Sequence, residues 1–118
     1  MNMTVKQLSI FVENRAGRLS EITRLLGDAS VNIRAMSIAD TKDFGILRLI
    51  VNDSEKALEV LKANSFAVTI TSVLAIRISD KPGGLAEAME CLYKDNISVE
   101  YMYAAFLNET DESAYLVL

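Results

Sequence analysis

The first 71 residues show two hydrophobic periods that predict different secondary structures. Apolar residues alternating with polar ones predict a half-buried strand, at Val5, Leu8, Ile10 and Val12. After Gly17 the spacing changes to three and four residues, which gives one helical face with Leu19, Ile22, Leu25 and Leu26. Residues 27–30 then supply the glycine and polar groups that typically end a helix.

The rest of this segment repeats the switch between strand and helix. Residues 32–39 and 45–51 predict two strands, with a polar turn at 40–43 between them. Residues 52–54 are good N-cap residues, and the helix that they start presents three apolar residues inward, Ala57, Leu58 and Leu61. A fourth strand at 66–71 completes the order β-α-β-β-α-β, which is typical of an α+β ferredoxin-like fold with an antiparallel sheet beneath two helices.

The same pattern occurs a second time. A shift of 66 positions aligns residues 8–39 with residues 74–105 without a gap. Eight aligned pairs are identical: Leu8/Leu74, Ile10/Ile76, Gly17/Gly83, Leu19/Leu85, Glu21/Glu87, Leu26/Leu92, Met36/Met102 and Ala39/Ala105. The chain is therefore predicted to contain two copies of one structural unit, in residues 1–71 and 72–118.

The second copy predicts a strand, a helix and two further strands. Its first strand carries Val73 or Leu74, then Ile76 and Ile78. Its helix presents Leu85, Ala88, Met89, Cys91 and Leu92 on one face before ending near residues 95–96. A second strand at 98–106 and a polar turn at 108–112 lead into a third strand that reaches residue 118. We expect this repeat to be incomplete, without a second helix and fourth strand.

Composition and charge exclude several classes of function. Half of the 118 residues are hydrophobic (51%), enough for a substantial core. Twelve Lys and Arg against 16 Asp and Glu give a net charge of −4 without a basic cluster, so we expect no nucleic-acid partner. No apolar run reaches the roughly 18 residues of a membrane span, so we expect no membrane partner. Histidine is absent, which excludes a Ser/His/Asp triad and histidine-bound zinc.

The remaining chemistry favours a protein that is not an enzyme. We expect no cofactor and no metal, because no Asp/Glu cluster has the spacing of metal ligands or of an acid/base pair. Cys91 is the single cysteine and cannot form an internal disulfide; we interpret it as a small core residue. The start of the chain lacks a charged leader followed by an apolar stretch, so we expect a cytoplasmic protein.

The spacing of the repeat resembles the ACT domain family. Residues 80–85, Asp-Lys-Pro-Gly-Gly-Leu, resemble that family's Asp-x-Pro-Gly-x-Leu motif, and residues 5–19 followed by 31–33 resemble the amino-terminal half of an ACT domain. The resemblance covers nearly the whole chain. It implies a tandem of small regulatory modules that bind amino acids or similar effectors, commonly at the seam between two such domains.

The residues of the two glycine turns suit such a role on physical grounds. A helix start exposes backbone N–H groups and a partial positive charge, which favour a carboxylate. Glycine lets a ligand approach the main chain closely, and Pro82 has a φ suited to a first helical turn. The alternative is that these glycines serve geometry only. The first turn departs from the family motif, with Asn14 for the acid and Ala16 for the proline.

The candidate ligand-binding residues fall into three groups. They are Asn14, Arg15, Ala16, Gly17, Arg18 and Leu19 in the first turn, Asp80, Lys81, Pro82, Gly83, Gly84 and Leu85 in the second, and Asn32, Ile33, Ser98 and Val99 where the second strands begin. Arginines could pair with a ligand carboxylate or be solvated, and Asn32 and Ser98 could contact a ligand or serve turn chemistry. Tyr101 and Tyr103 could line a pocket or an interface, or form an ordinary sheet surface.

Two functional hypotheses follow. The leading one is a non-catalytic sensor in which an amino acid docks where the glycine turn of one copy meets a strand of another, with allosteric consequences. The other is a regulatory subunit that acts by binding a larger biosynthetic enzyme. We also expect a homodimer or larger assembly, because an incomplete second copy leaves strand edges and an apolar sheet face to be covered.

Overall fold

The computed structural model describes residues 2–13, 16–40, 44–79, 81–105 and 114–117. It divides into two compact units. The first unit is Lys6–Ser72, and the second unit combines Met1–Val5 with Val73–Leu118. The sequence repeats predicted at residues 1–71 and 72–118 stay a prediction. The structural units are divided differently, because residues 1–5 group with the second unit.

The first unit has the complete β-α-β-β-α-β order expected of an α+β ferredoxin-like fold. Its elements are β1 (Asn2–Glu13), α1 (Arg18–Asp28), β2 (Ile33–Asp40), β3 (Phe44–Val51), α2 (Ser54–Ala63) and β4 (Ala67–Ile78). The strand order is β2-β3-β1-β4, and the β1–β3 and β2–β3 pairs are antiparallel. The fold class predicted from the sequence is confirmed.

The core of the first unit lies between the sheet and its two helices. Cross-strand pairs such as Leu8 with Leu49 and Ile10 with Leu47 are fully buried, because alternation places them on the same face of the sheet. Helices α1 and α2 contact each other and cover that face with four buried residues, Ile22, Leu26, Ala57 and Leu61. The predicted N-cap is also present, since the Asp53 carboxylate accepts a hydrogen bond from the Lys56 N–H at 3.1 Å.

Strand β4 differs from the sequence prediction. Residues 66–71 and the strand from Leu74 were predicted as separate strands, but Ala67–Ile78 is one continuous strand of 12 residues. No glycine or proline interrupts it, so the backbone stays extended through Thr71 and Ser72, whose side chains are both exposed. Strand β4 therefore ends the first unit and begins the second without a linker.

The second unit contains α3 (Gly84–Lys94), β5 (Tyr103–Ala105) and β6 (Ala114–Val117). Its strand order is β1-β4-β6-β5, with antiparallel β4–β6 and β5–β6 pairs. Strand β1 therefore lies beside β4 on the side opposite β6. In the first unit, the fourth strand of the repeat, β4, lies beside its first strand, β1. In the second unit, the first strand of the repeat is β4, and β1 occupies the position of a fourth strand beside it.

The second strand of the second copy is shorter than predicted. The sequence predicts a strand at 98–106, but residues 97–102 are not in a strand and β5 comprises Tyr103–Ala105. A strand forms where the backbone pairs with a neighbouring strand through hydrogen bonds. The described pairing of β5 with β6 runs from Tyr103, opposite Val117, to Ala105, opposite Tyr115. Phe106 and the predicted polar turns at 41–43 and 108–112 lie outside the described residues, whereas Asp40 belongs to β2.

The ends of α1 and α3 confirm the 66-residue register of the repeat. Ser30 and its aligned residue Asn96 both have positive φ, at 61° and 56°. The same hydrogen bond closes both helices at 2.9 Å, from the N–H of Val31 to the carbonyl of Leu26 and from the N–H of Ile97 to the carbonyl of Leu92. The two copies are thus alike in backbone conformation as well as in sequence.

Candidate functional site

Both glycine turns adopt the same left-handed conformation at the start of a helix. Gly17 has φ 90° and ψ −13° before α1, and Gly83 has φ 87° and ψ −11° before α3. A Cβ at either position would meet no atom within 4 Å, so open space surrounds both residues. Glycine is needed there for its positive φ, which costs any L side chain energy.

Among the described residues, no side-chain hydrogen bond caps the start of α1 or of α3. The positive end of each helix dipole therefore lies at a glycine turn. Ala16, Gly17 and Leu19 are exposed in the first turn, and Lys81, Pro82, Gly83 and Leu85 are exposed in the second. Asn14, Arg15 and Asp80 lie outside the described residues.

Gly84 is a packing glycine. It is buried, and a Cβ there would collide with the carbonyl oxygen of Ser79. Its own N–H donates to the carbonyl of Lys81 at 3.0 Å. Of the two glycines, Gly83 is therefore the better candidate for a backbone contact with a ligand, since it is exposed and has open space around it.

Arg18 occupies the position in the first turn that Gly84 has in the second. Its guanidinium donates to the Glu21 carboxylate at 2.9 Å and lies 4.7 Å from the centre of the Phe66 ring. The side chain is only 19% exposed, and its Nε is buried without a hydrogen-bond partner among the described residues. Arg18 is therefore held against the first unit by an ion pair and a cation–π contact.

The strand starts differ between the two copies. The Asn32 N–H donates to Oδ1 of Asn52 at 2.9 Å, and the Asn52 N–H donates to the Asn32 carbonyl at 3.1 Å. These bonds join the start of β2, at half-buried Ile33, to the end of β3. Ser98 and Val99, by contrast, are exposed and lie outside any strand.

Within one repeat, the glycine turn and the strand start lie at opposite ends of a helix. Helix α1 has 11 residues between Gly17 and the segment that begins at Ala29, so its ends are separated by ~16 Å at 1.5 Å per residue. This length exceeds the reach of one small amino acid. A single effector can contact both kinds of residue only if they come from different copies of the repeat.

A groove of about 370 Å³ runs along the second unit, between α3 and β4. The side of β4 is lined by Leu74, Ile76, Arg77, Ile78 and Ser79. The other side is lined by Gly84, Glu87, Ala88, Cys91 and Leu92 of α3 and by Asp95 and Ile97, which follow it. Cys91 is exposed, so its interpretation as a core residue is wrong. Among the described residues no second helix packs over this face of α3, in line with the expectation that the second repeat lacks a second helix.

Other kinds of site were also sought in the described part of the chain. No group of three or more His, Cys, Asp or Glu side chains there comes together in a way that could hold a metal ion. No described helix has the length and apolarity that crossing a membrane requires. Half-buried Tyr101 and Tyr103 lie next to and at the start of β5, and the side chain of Tyr115 is outside the described set.

Comparisons with known proteins agree with this architecture. The family model described as an ACT domain pair matches residues 3–115. A crystal structure of a protein from Bacteroides thetaiotaomicron is 46% identical to the chain, with a TM-score of 0.87 over 98% of this chain and 78% of that one. A search of curated proteins gives no match.

More distant structures share the fold. The regulatory subunit of aspartate kinase from Thermus thermophilus, in its ligand-free form, is 13% identical with a TM-score of 0.69, over 95% of this chain and 80% of that one. The corresponding subunit from Thermus flavus is 12% identical with a TM-score of 0.65, over 98% and 84%. The two glycine turns, the 66-residue repeat and the family match lead to one conclusion: the chain belongs to the family of ACT domain pairs.

Proposed function

We propose that the chain is a non-catalytic regulatory module that binds an amino acid or a similar small effector. The observation that carries the proposal is the pair of exposed left-handed glycine turns. Each lies at a helix start that no described side chain caps, in a member of the family of ACT domain pairs. Backbone N–H groups at such a turn suit the carboxylate that all amino acids share. Contacts with other residues would then recognise the effector's side chain and set the specificity.

The effector site is completed by a second copy of the repeat. The ~16 Å length of α1 separates Gly17 from Asn32, so one small effector cannot contact both within a single repeat. The second copy is either the other repeat of the same chain or a repeat of a second chain, as in a homodimer. Binding then stabilises one packing of the copies over another, and this differential affinity limits the regulatory effect.

The proposal is tested by thermal denaturation of the purified chain with each of the twenty amino acids at millimolar concentration. An effector present at 100 times its Kd should stabilise the folded chain by about 2.7 kcal/mol, and one or a few chemically related amino acids should do so. Titration calorimetry then gives the affinity. A flat panel, with no amino acid raising the Tm, would contradict the proposal.

Two matched variants then identify the turn that binds. Gly17→Ala and Gly83→Ala introduce the same methyl group at nearly the same φ and in equally open space, so their costs to folding should match, at about 1–2 kcal/mol each. The variant in the binding turn should lose effector affinity at least fivefold, and the other should not. If both variants keep the parent affinity for the effector, the glycines only allow the backbone to turn from strand to helix, and neither turn binds the effector.

A further inference from the structure

Strand β2 is the outermost strand of the first unit. In the described part of the chain its only strand neighbour is β3, so the backbone groups along its other side face no strand. All six elements of this unit are described, and the strand order β2-β3-β1-β4 is what leaves β2 at the edge. A free strand edge of this kind can pair with a strand of another molecule.

Strand β2 lacks the features that usually protect a strand edge. Protected edges are short, carry lysine or proline, or are bent by a bulge. Strand β5, the outermost strand of the second unit, is described over three residues. Strand β2 has eight residues, and its described register shift lies near its start, between Ile33 and Ala35. Residues 35–39 contain neither a charge nor a proline, so the stretch after the shift is open to pairing.

Two large apolar side chains lie along this open edge. Met36 is 49% exposed and Ile38 is 50% exposed. Both lie on the face of the sheet that carries the core, because they pair with Leu49 and Leu47 of β3, which are fully buried. Pairing of β2 with another strand would place further side chains beside Met36 and Ile38 and remove part of their surface from water.

The sequence of the edge is symmetrical in the kinds of residue that it contains. Residues 35–39 are Ala-Met-Ser-Ile-Ala, which is small, large apolar, small polar, large apolar and small in either direction. Opposite residues of an antiparallel pair share a face, so a two-fold axis perpendicular to the sheet must set one residue opposite its own copy. An axis at Ser37 places Met36 opposite Ile38 and alanine opposite alanine. An axis at Ile38 would place Met36 opposite position 40, an aspartate in the sequence.

We propose that two copies of the chain associate through their β2 edges, paired antiparallel about Ser37. The pairing extends the antiparallel order from β3 through β2 into the β2 of the other copy. It brings Met36 and Ile38 of both copies into one apolar row on the face of the core. The partner is a second copy because the edge matches itself, as a two-fold interface requires. This association does not depend on the effector site at the glycine turns.

Sedimentation equilibrium of the full chain over a range of concentrations tests the association, and we expect a monomer–dimer equilibrium. Ile38→Lys places a charge in the apolar row and should raise the Kd of the dimer at least tenfold. The half-exposed side chain of Ile38 makes this change tolerable for the fold. Ala104→Lys is the matched control, at the aligned and exposed residue of β5, and should change the Kd less than twofold. Circular dichroism checks that both variants are folded.

A cysteine at the proposed axis tests the register, in a chain whose single thiol is removed by Cys91→Ser. Directly opposite residues of an antiparallel pair have Cα atoms about 4.5–5.5 Å apart, a separation that a disulfide can bridge. Ser37→Cys should therefore form a disulfide-linked dimer under mild oxidation. Met36→Cys is the control, because it lies opposite Ile38 of the other copy, and should cross-link at least fivefold more slowly.

Three results would overturn the proposal. A chain that sediments as a monomer at every concentration would leave the edge to a strand of some other polypeptide. A dimer that Ile38→Lys and Ala104→Lys weaken equally would have its interface elsewhere. Equal rates of cross-linking for Ser37→Cys and Met36→Cys would exclude the antiparallel register about Ser37.

Discussion

Isoleucine occupies the aligned positions 10 and 76 of the two repeats, yet Ile10 is fully buried and Ile76 is half-buried. Each belongs to the first strand of its repeat and is followed by a glycine turn and an 11-residue helix with the same closing hydrogen bonds. The two segments thus form the same local structure. Their burial differs because α2 covers the first unit and no described helix covers the second.

The contrast shows that one local structure can be buried to different degrees in two repeats. In the first unit the apolar face completes a closed core, and its residues serve stability. In the second unit the aligned residues Ile76 and Ala88 are half-buried, and no second helix of the described residues packs over them.

The largest expected effect comes from truncating the aligned isoleucines. Ile10→Ala leaves a cavity in a closed core and should lower the free energy of unfolding by about 2–5 kcal/mol. Ile76→Ala should cost less than half as much, because water already reaches its side chain. Urea denaturation of both variants measures the difference. Equal losses would mean that the second face is covered in solution and would remove the contrast.

The next effect distinguishes the residues that follow the two glycine turns. Gly84→Ala forces a Cβ against the Ser79 carbonyl and should destabilise the chain by about 1–3 kcal/mol. Arg18→Ala removes a cation–π contact and a partly exposed ion pair, for a loss of about 1 kcal/mol. Thermal unfolding ranks the two. A larger loss for Arg18→Ala would mean that Ser79 moves aside at little cost.

The smallest effect concerns α2, which has no counterpart among the described residues of the second unit. Asp53→Ala removes the N-cap of α2 and should cost about 1 kcal/mol, seen as faster hydrogen exchange of the α2 amides. Asp53→Asn keeps an acceptor oxygen and serves as the control, with a much smaller change. Faster exchange confined to α3 would contradict the assignment of this cap to α2.

Sequence patterns were sufficient for the features that depend on neighbours along the chain. The change of period at Gly17 located α1, the polar residues before Ala57 located the α2 cap, and the 66-residue shift paired two turns whose φ angles differ by 3°. These features follow from backbone geometry and side-chain periodicity, which act over a few residues. The candidate turns could be predicted for the same reason.

Tertiary structure alone decided what lies across each face. Cys91 has the spacing of a core residue but is exposed, and Gly84 matches a ligand-binding motif but is required by the nearby Ser79 carbonyl. The predicted break between residues 71 and 74 is a continuous strand, and β1 holds the place of a fourth strand in the second unit. Burial and strand pairing depend on residues far apart in sequence, so a local pattern shows which face is apolar but not what covers it.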